Sequence, residues 1–128
     1  MKSLVASLLI VFAASQSLAA GEYVSCMQTR TNDPFLPNLV TLYVSEATNT
    51  LRVKFQIDGD ERLVAASAVT EDDSVIQFGN VRLIEDGVVK GGPIGIKFFI
   101  QKSVFANKGQ LLWKYFDGAE ATYACSVN

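Results

Sequence analysis

The clearest pattern in the chain is the eight-residue run "TLRVKFQI", residues 50–57. Leu51, Val53, Phe55 and Ile57 fall on one side, and Arg52, Lys54 and Gln56 on the other. A period of two places successive side chains on opposite faces, so this run predicts a strand with one buried and one wet face. Comparable β-rich runs cover residues 22–28, 39–45, 62–70, 74–78, 81–85, 96–102, 110–116 and 120–127. No stretch reads strongly as a helix. The alanines of "RLVAASAVTEDD", from Arg62, suit one. The alternation Leu63, Ala65, Ser67, Val69 and the flanking β segments favour a strand instead.

The punctuation between these runs is turn chemistry. "IDGDE", "FGNV", "EDGV" and "FDGAE" each set Gly beside Asn or Asp, where positive φ is tolerated. Nearly every connection is short, which favours antiparallel neighbours. The predicted fold is therefore all-β, an antiparallel meander of about eight strands, with a closed barrel favoured over a two-sheet sandwich. No repeat, low-complexity segment or linker divides the chain.

The first residues change the compartment. Met1-Lys2-Ser3 is a short positive start, residues 4–14 are almost wholly apolar, and Ser17-Leu18-Ala19 supplies small residues for a signal peptidase. The apolar run is shorter than the roughly 20 residues that span a bilayer. Residues 1–19 are thus expected to be a cleaved signal peptide, leaving residues 20–128 as one domain with no membrane span, secreted or periplasmic. Lys2 leaves with the leader, so eleven basic residues become ten against thirteen acidic, a net charge of −3. That balance carries no electrostatic footprint for nucleic acid or anionic membrane.

Export to an oxidising compartment makes a disulfide the expected state of an even cysteine pair, here Cys26 and Cys125. Each lies near one end of the domain, so a bridge would close a loop of about 100 residues, worth roughly 4–5 kcal/mol in the chain-entropy picture. In a closed meander the first and last strands become neighbours, and this bridge would staple their seam. Cys26 shares a strand face with Val24, and Cys125 with Tyr123 and Val127, so both can point inward.

Candidate chemistry is sparse. The chain contains no histidine, which removes Ser-His-Asp and Cys-His arrangements and imidazole metal ligands. Paired cysteines would leave no thiolate nucleophile and no tetrahedral zinc site. Ser103 beside Lys102 reads as a strand end. Carboxylates gather at Asp58, Asp60 and Glu61, at Glu71, Asp72 and Asp73, and at Glu85 and Asp86. None has the spacing of a calcium loop, and acidic turn residues are ordinarily solvated. "GVVKGGPIG" lacks the Gly-Lys-Ser/Thr ending of a phosphate loop. No metal and no cofactor is expected.

Two features suggest binding. "TRTNDPFLPN" is the longest expected connection and sets Phe35 and Leu36 between Pro34 and Pro37. Prolines stiffen such a loop. Its two large apolar residues either plug a barrel end or meet a ligand or partner. The runs "IKFFIQK" and "LLWKYF" are apolar on both faces. If Ile96, Phe98, Ile100, Trp113 and Tyr115 face inward, Phe99, Leu112 and Phe116 are left outside as a contact patch.

Tyr23 and Cys26, Tyr123 and Cys125, and Lys108-Gly109 together resemble the bacterial periplasmic inhibitors of C-type lysozyme, which are small disulfide-bonded β-barrels. The resemblance implies a role for Lys108 in inhibiting a lysozyme-like hydrolase. The serine-containing motif that completes the inhibitory pair in that family is not evident here, and the spacing at the first cysteine differs. The expected function is an exported, non-enzymatic binding module, holding a small apolar ligand or binding a protein through loops or a strand face. The alternatives are a periplasmic hydrolase inhibitor, a carboxylate-based hydrolase and an envelope structural protein.

Overall fold

The computed structural model describes residues 23–45 and 50–127; the expected signal peptide and its cleavage point lie outside the described residues. Among the described residues nine strands run β1 (Val24–Thr31), β2 (Leu39–Ser45), β3 (Thr50–Ile57), β4 (Asp60–Glu71), β5 (Val75–Glu85), β6 (Val88–Lys90), β7 (Ile96–Gln101), β8 (Lys108–Tyr115) and β9 (Glu120–Val127). A short 3₁₀ helix, Lys102–Phe105, joins β7 to β8. Every pairing is antiparallel. The hydrogen-bonded order β4-β3-β2-β1-β9-β8-β7-β5, closed by β4 against β5, makes an eight-strand barrel, with β6 as an extra strand on β5.

The meander closes where the sequence requires it. β1 and β9 are paired from Val24↔Val127 to Thr31↔Ala121, and Cys26 stands directly opposite Cys125. Their Cα atoms are 4.0 Å apart and their sulfurs are bonded. Both cysteines are buried, as is the Tyr123 that shares the inward face of β9.

An interior enclosed by eight strands is just wide enough for side chains to fill. Trp113, Tyr123, Phe78, Phe98, Phe105, Leu42, Leu51, Ile76, Ile100 and Leu111 fill it and are fully buried. Trp113 stands edge-on to Phe55 and Phe98, with ring centroids 4.9 and 5.1 Å away. One end of the barrel is stoppered. The 3₁₀ helix turns Val104 and Phe105 inward, both completely buried. It is tied down by Lys102 N–H donating to Ser74 O at 2.8 Å and Val127 N–H donating to Asn107 O at 3.1 Å. Gly109 lies under this stopper, where a Cβ would meet Ser103 Oγ at 2.5 Å.

Several expectations need correction. "FGNV" is not a turn. Gly79 and Asn80 lie inside the continuous strand β5, and Asn80 takes φ 50° there. The ladder to β4 slips between Ala65/Ser67 and Ala68/Thr70, which lets two long strands bend around the barrel. "VVK" within the glycine-rich segment is a strand, β6, not loop. The run expected at 96–102 ends at Gln101, where the 3₁₀ helix takes over. On β4 the buried side chains are Val64 and Ala66, one step out of phase with the Leu63, Ala65, Ser67, Val69 series. The Asp-Gly turns behave as expected. Asp58-Gly59 and Asp86-Gly87 both have positive φ at the two central positions, as a tight hairpin requires.

Candidate functional site

The end of the barrel opposite the stopper is open. Connections 32–38, 58–59, 86–95 and 116–119 surround it. Within this ring lies a cup of about 380 Å³, its floor and walls built from Phe55, Ile57, Leu83, Ile96, Trp113 and Tyr115. The cup is the last layer of inward-facing positions on β3, β5, β7 and β8, left uncovered where those strands end. Its volume falls at the small end of the roughly 300–1,000 Å³ of ligand sites, and its lining has the mainly apolar character such sites share. Indole Nε1 of Trp113 is buried and has no hydrogen-bond partner.

The proline-bracketed loop forms one side of the cup and divides its two apolar residues. Leu36 packs on the core, whereas Phe35 is 73% exposed at the rim. The loop is fastened along its length. Asn32 N–H donates to Glu120 O at 3.2 Å, and Glu120 N–H donates to Asn32 Oδ1 at 2.9 Å. Thr31 Oγ1 donates to Glu120 O at 2.9 Å. Asp33 Oδ1 accepts from Phe35 N–H at 2.9 Å, an Asx turn that sets the Pro34-Phe35 corner. At the far side Pro37 O accepts from the buried Tyr123 hydroxyl at 2.6 Å and from Gln28 Nε2 at 3.1 Å. Phe35 is thus an exposed aromatic on a preset backbone.

The Tyr123 clamp has a pH signature. Burial pushes its phenol up from 10.0 to about 12, with the Gln28 amide pulling slightly the other way. Because the folded value is raised, its stabilising contribution is complete below pH 10 and is lost as pH climbs from 10 to about 12. The amount is on the order of 2 kcal/mol. Urea midpoints measured across that interval are expected to fall more steeply for the wild type than for Tyr123→Phe. At neutral pH that variant is expected to cost about 1 kcal/mol for the lost hydrogen bond.

The rim charges lean acidic. Asp33 and Asp117 border the cup, and the one cation there, Arg62, lies 3.8 Å from Asp60. This favours uncharged or cationic occupants over anions.

The other sequence candidates fall elsewhere. Phe99 and Leu112 are opposed across β7 and β8 on the outer wall and are half-buried. Phe116 lies one residue beyond β8, where its N–H donates to Gly95 O at 2.9 Å. Lys108 is exposed at the start of β8, toward the stoppered end and away from the cup. Among the described residues no group of three or more His, Cys, Asp or Glu is gathered in a way that could hold a metal ion. No helix among them is long and apolar enough to cross a membrane. Sequence reasoning missed Ile57, Leu83 and Ile94 as parts of one mouth, because their convergence depends on strand register. The shared face of Trp113 and Tyr115 was the legible signal. No family profile matches the chain, and no curated protein or solved structure matches it.

Proposed function

We propose that this protein is an exported, non-enzymatic binding module whose mouth cup takes a small, uncharged apolar group. The observation that carries the reading is an apolar hollow with Trp113 in its wall, open at one end of a barrel otherwise filled with side chains. A filled interior speaks for capture at the mouth rather than enclosure within the barrel. The rigid loop lets Phe35 close over an occupant with little ordering cost. The non-enzymatic part rests on a chain without histidine whose two cysteines are bonded to each other. The same bond is compatible with an oxidising, extracytoplasmic compartment.

A second reading follows from the exposure of Phe35. A partner protein could lay an apolar side chain in the cup while Phe35 packs on the partner's surface. Rigid aromatic anchors of this kind dominate many interfaces.

The test of the first reading uses Trp113, the chain's one tryptophan, as reporter. Titration with the neutral probe N-phenyl-1-naphthylamine is expected to quench Trp113 emission with one-to-one saturation. Phe35→Ala is expected to weaken binding by about 1 kcal/mol, roughly fivefold. Stability should stay within about 0.5 kcal/mol, because the side chain is largely exposed. A linear, non-saturating response would sink the small-ligand reading and leave the partner-protein one.

A further inference from the structure

We propose that a groove on the outer wall, over β5, β7 and β8, is a second binding site, and that it takes an amphipathic carboxylate. The groove measures about 680 Å³ and is separate from the cup except where both meet Ile94, Ile96 and Tyr115. Its apolar walls are Phe99 and Phe116, with Val69 and Ile94 at the margins. Among the described residues its only charged ones are Lys97 and Lys114. In a chain of net negative charge, this is a concave surface bearing two cations and no anion.

The lysines are opposed directly across β7 and β8. Like charges in that position destabilise a sheet, and the Cβ atoms of such a pair lie about 5 Å apart, so one carboxylate can reach both ammonium groups. Neither lysine takes part in the ion pairs Lys54–Glu61, Arg62–Asp60 and Lys102–Glu71 found among the described residues. Glu120 stands across from Lys114 on β9, outside the groove, and offsets part of its charge; Lys97 has no such neighbour in the ladder.

The apolar side is preformed. Phe116 is 79% exposed, yet its ring rests on Gly95, where a Cβ would come within 2.5 Å of Cδ1. Gly79 makes the same allowance for Val69, whose Cγ2 would lie 2.9 Å from a Cβ there. Two glycines thus keep the floor open between aromatic walls. A hydrocarbon chain laid along Phe99 and Phe116 brings its carboxylate to Lys97 and Lys114. The acidic rim of the mouth cup selects against the same ligand, so the two sites differ in the charge they accept.

The test is ¹H–¹⁵N NMR with dodecanoate and dodecanol, both below micelle-forming concentration. Dodecanoate is expected to shift the amides of Gly79 and Gly95 with saturation, at least about tenfold more tightly than dodecanol, and more weakly as salt is raised. Lys97→Gln with Lys114→Gln is expected to lose that tenfold preference. It should fold at least as well as the wild type, because it removes a like-charge pair. Phe116→Ala is expected to weaken both ligands alike. Equal binding of dodecanol, shifts confined to Ile57 and Leu83 in the cup, or no saturable shift of either glycine would overturn the proposal. Neutral-probe quenching of Trp113 is a separate readout, so failure of the groove proposal leaves the cup reading to its own test.

Discussion

Replacing Cys26 and Cys125 together by alanine is expected to lower the unfolding free energy by about 4 kcal/mol. The residues are separated by 99 positions, so their bond restricts nearly the whole described chain in the unfolded state. A loop of that size gives roughly 4–5 kcal/mol in the chain-entropy picture. The bond also sits where the fold has most need of it. β1 and β9 are the ends of the chain, and their ladder from Val24↔Val127 to Thr31↔Ala121 closes the barrel. Parting them would expose two edges and unseat buried Tyr123, whose hydroxyl holds the mouth loop through Pro37. Domains of this size have only about 5–15 kcal/mol in total. The melting temperature should therefore drop by roughly 15–25 °C. Thermal unfolding of the wild type with and without a reductant should show the same difference. A change of a few degrees would mean that the ladder alone holds the seam.

The second large effect is expected at the stoppered end. Lys102 Nζ lies 2.7 Å from Glu71 Oε2, with the two side chains 21% and 6% exposed. Glu71 Oε1 is buried with no partner, so this carboxylate already depends on a single cation. Lys102→Ala would leave a buried charge uncompensated, which costs about 3 kcal/mol in comparable pairs. Lys102 also begins the 3₁₀ helix that seats Val104 and Phe105, so amide exchange at those residues should speed up. Adding Glu71→Leu to the lysine variant is expected to recover most of the loss, since an apolar replacement removes the desolvated charge. Urea unfolding of the single and double variants measures both. A Lys102→Ala cost below about 1 kcal/mol, or no recovery in the double variant, would show that the pair is solvated enough to be dispensable.

Where the sequence was readable and where it was not follows from what each signal encodes. "TLRVKFQI" is legible because one face is apolar and the other charged, and β3 has those bounds. The disulfide was legible from an export leader and an even cysteine pair, and closure was favoured because short antiparallel connections bring the first and last strands of a meander together, although a sandwich could carry the same bridge. β5 reads as two strands in the sequence because Gly79-Asn80 has the composition of a turn, whereas the slipped ladder to β4 lets the strand absorb it. β6 and the 3₁₀ helix span three and four residues, too few for any periodicity to register. The inward face of β4 was ambiguous because both of its faces carry small apolar residues. The contrast between Phe35 and Leu36 could not be read from "DPFLPN", since it depends on the Asx turn at Asp33 and the clamp on Pro37. The cup itself joins residues from five strands and the Phe35 loop, and only register brings them together.

Whether the mouth cup accepts an apolar group is decided by intermolecular NOEs from a bound neutral naphthalene probe to methyl-labelled protein. Contacts to the methyl groups of Ile57, Leu83 and Ile96, which line the cup, are expected. Contacts to Val69 alone, on the outer wall, or saturable binding with no contact to those three residues, would contradict the cup reading.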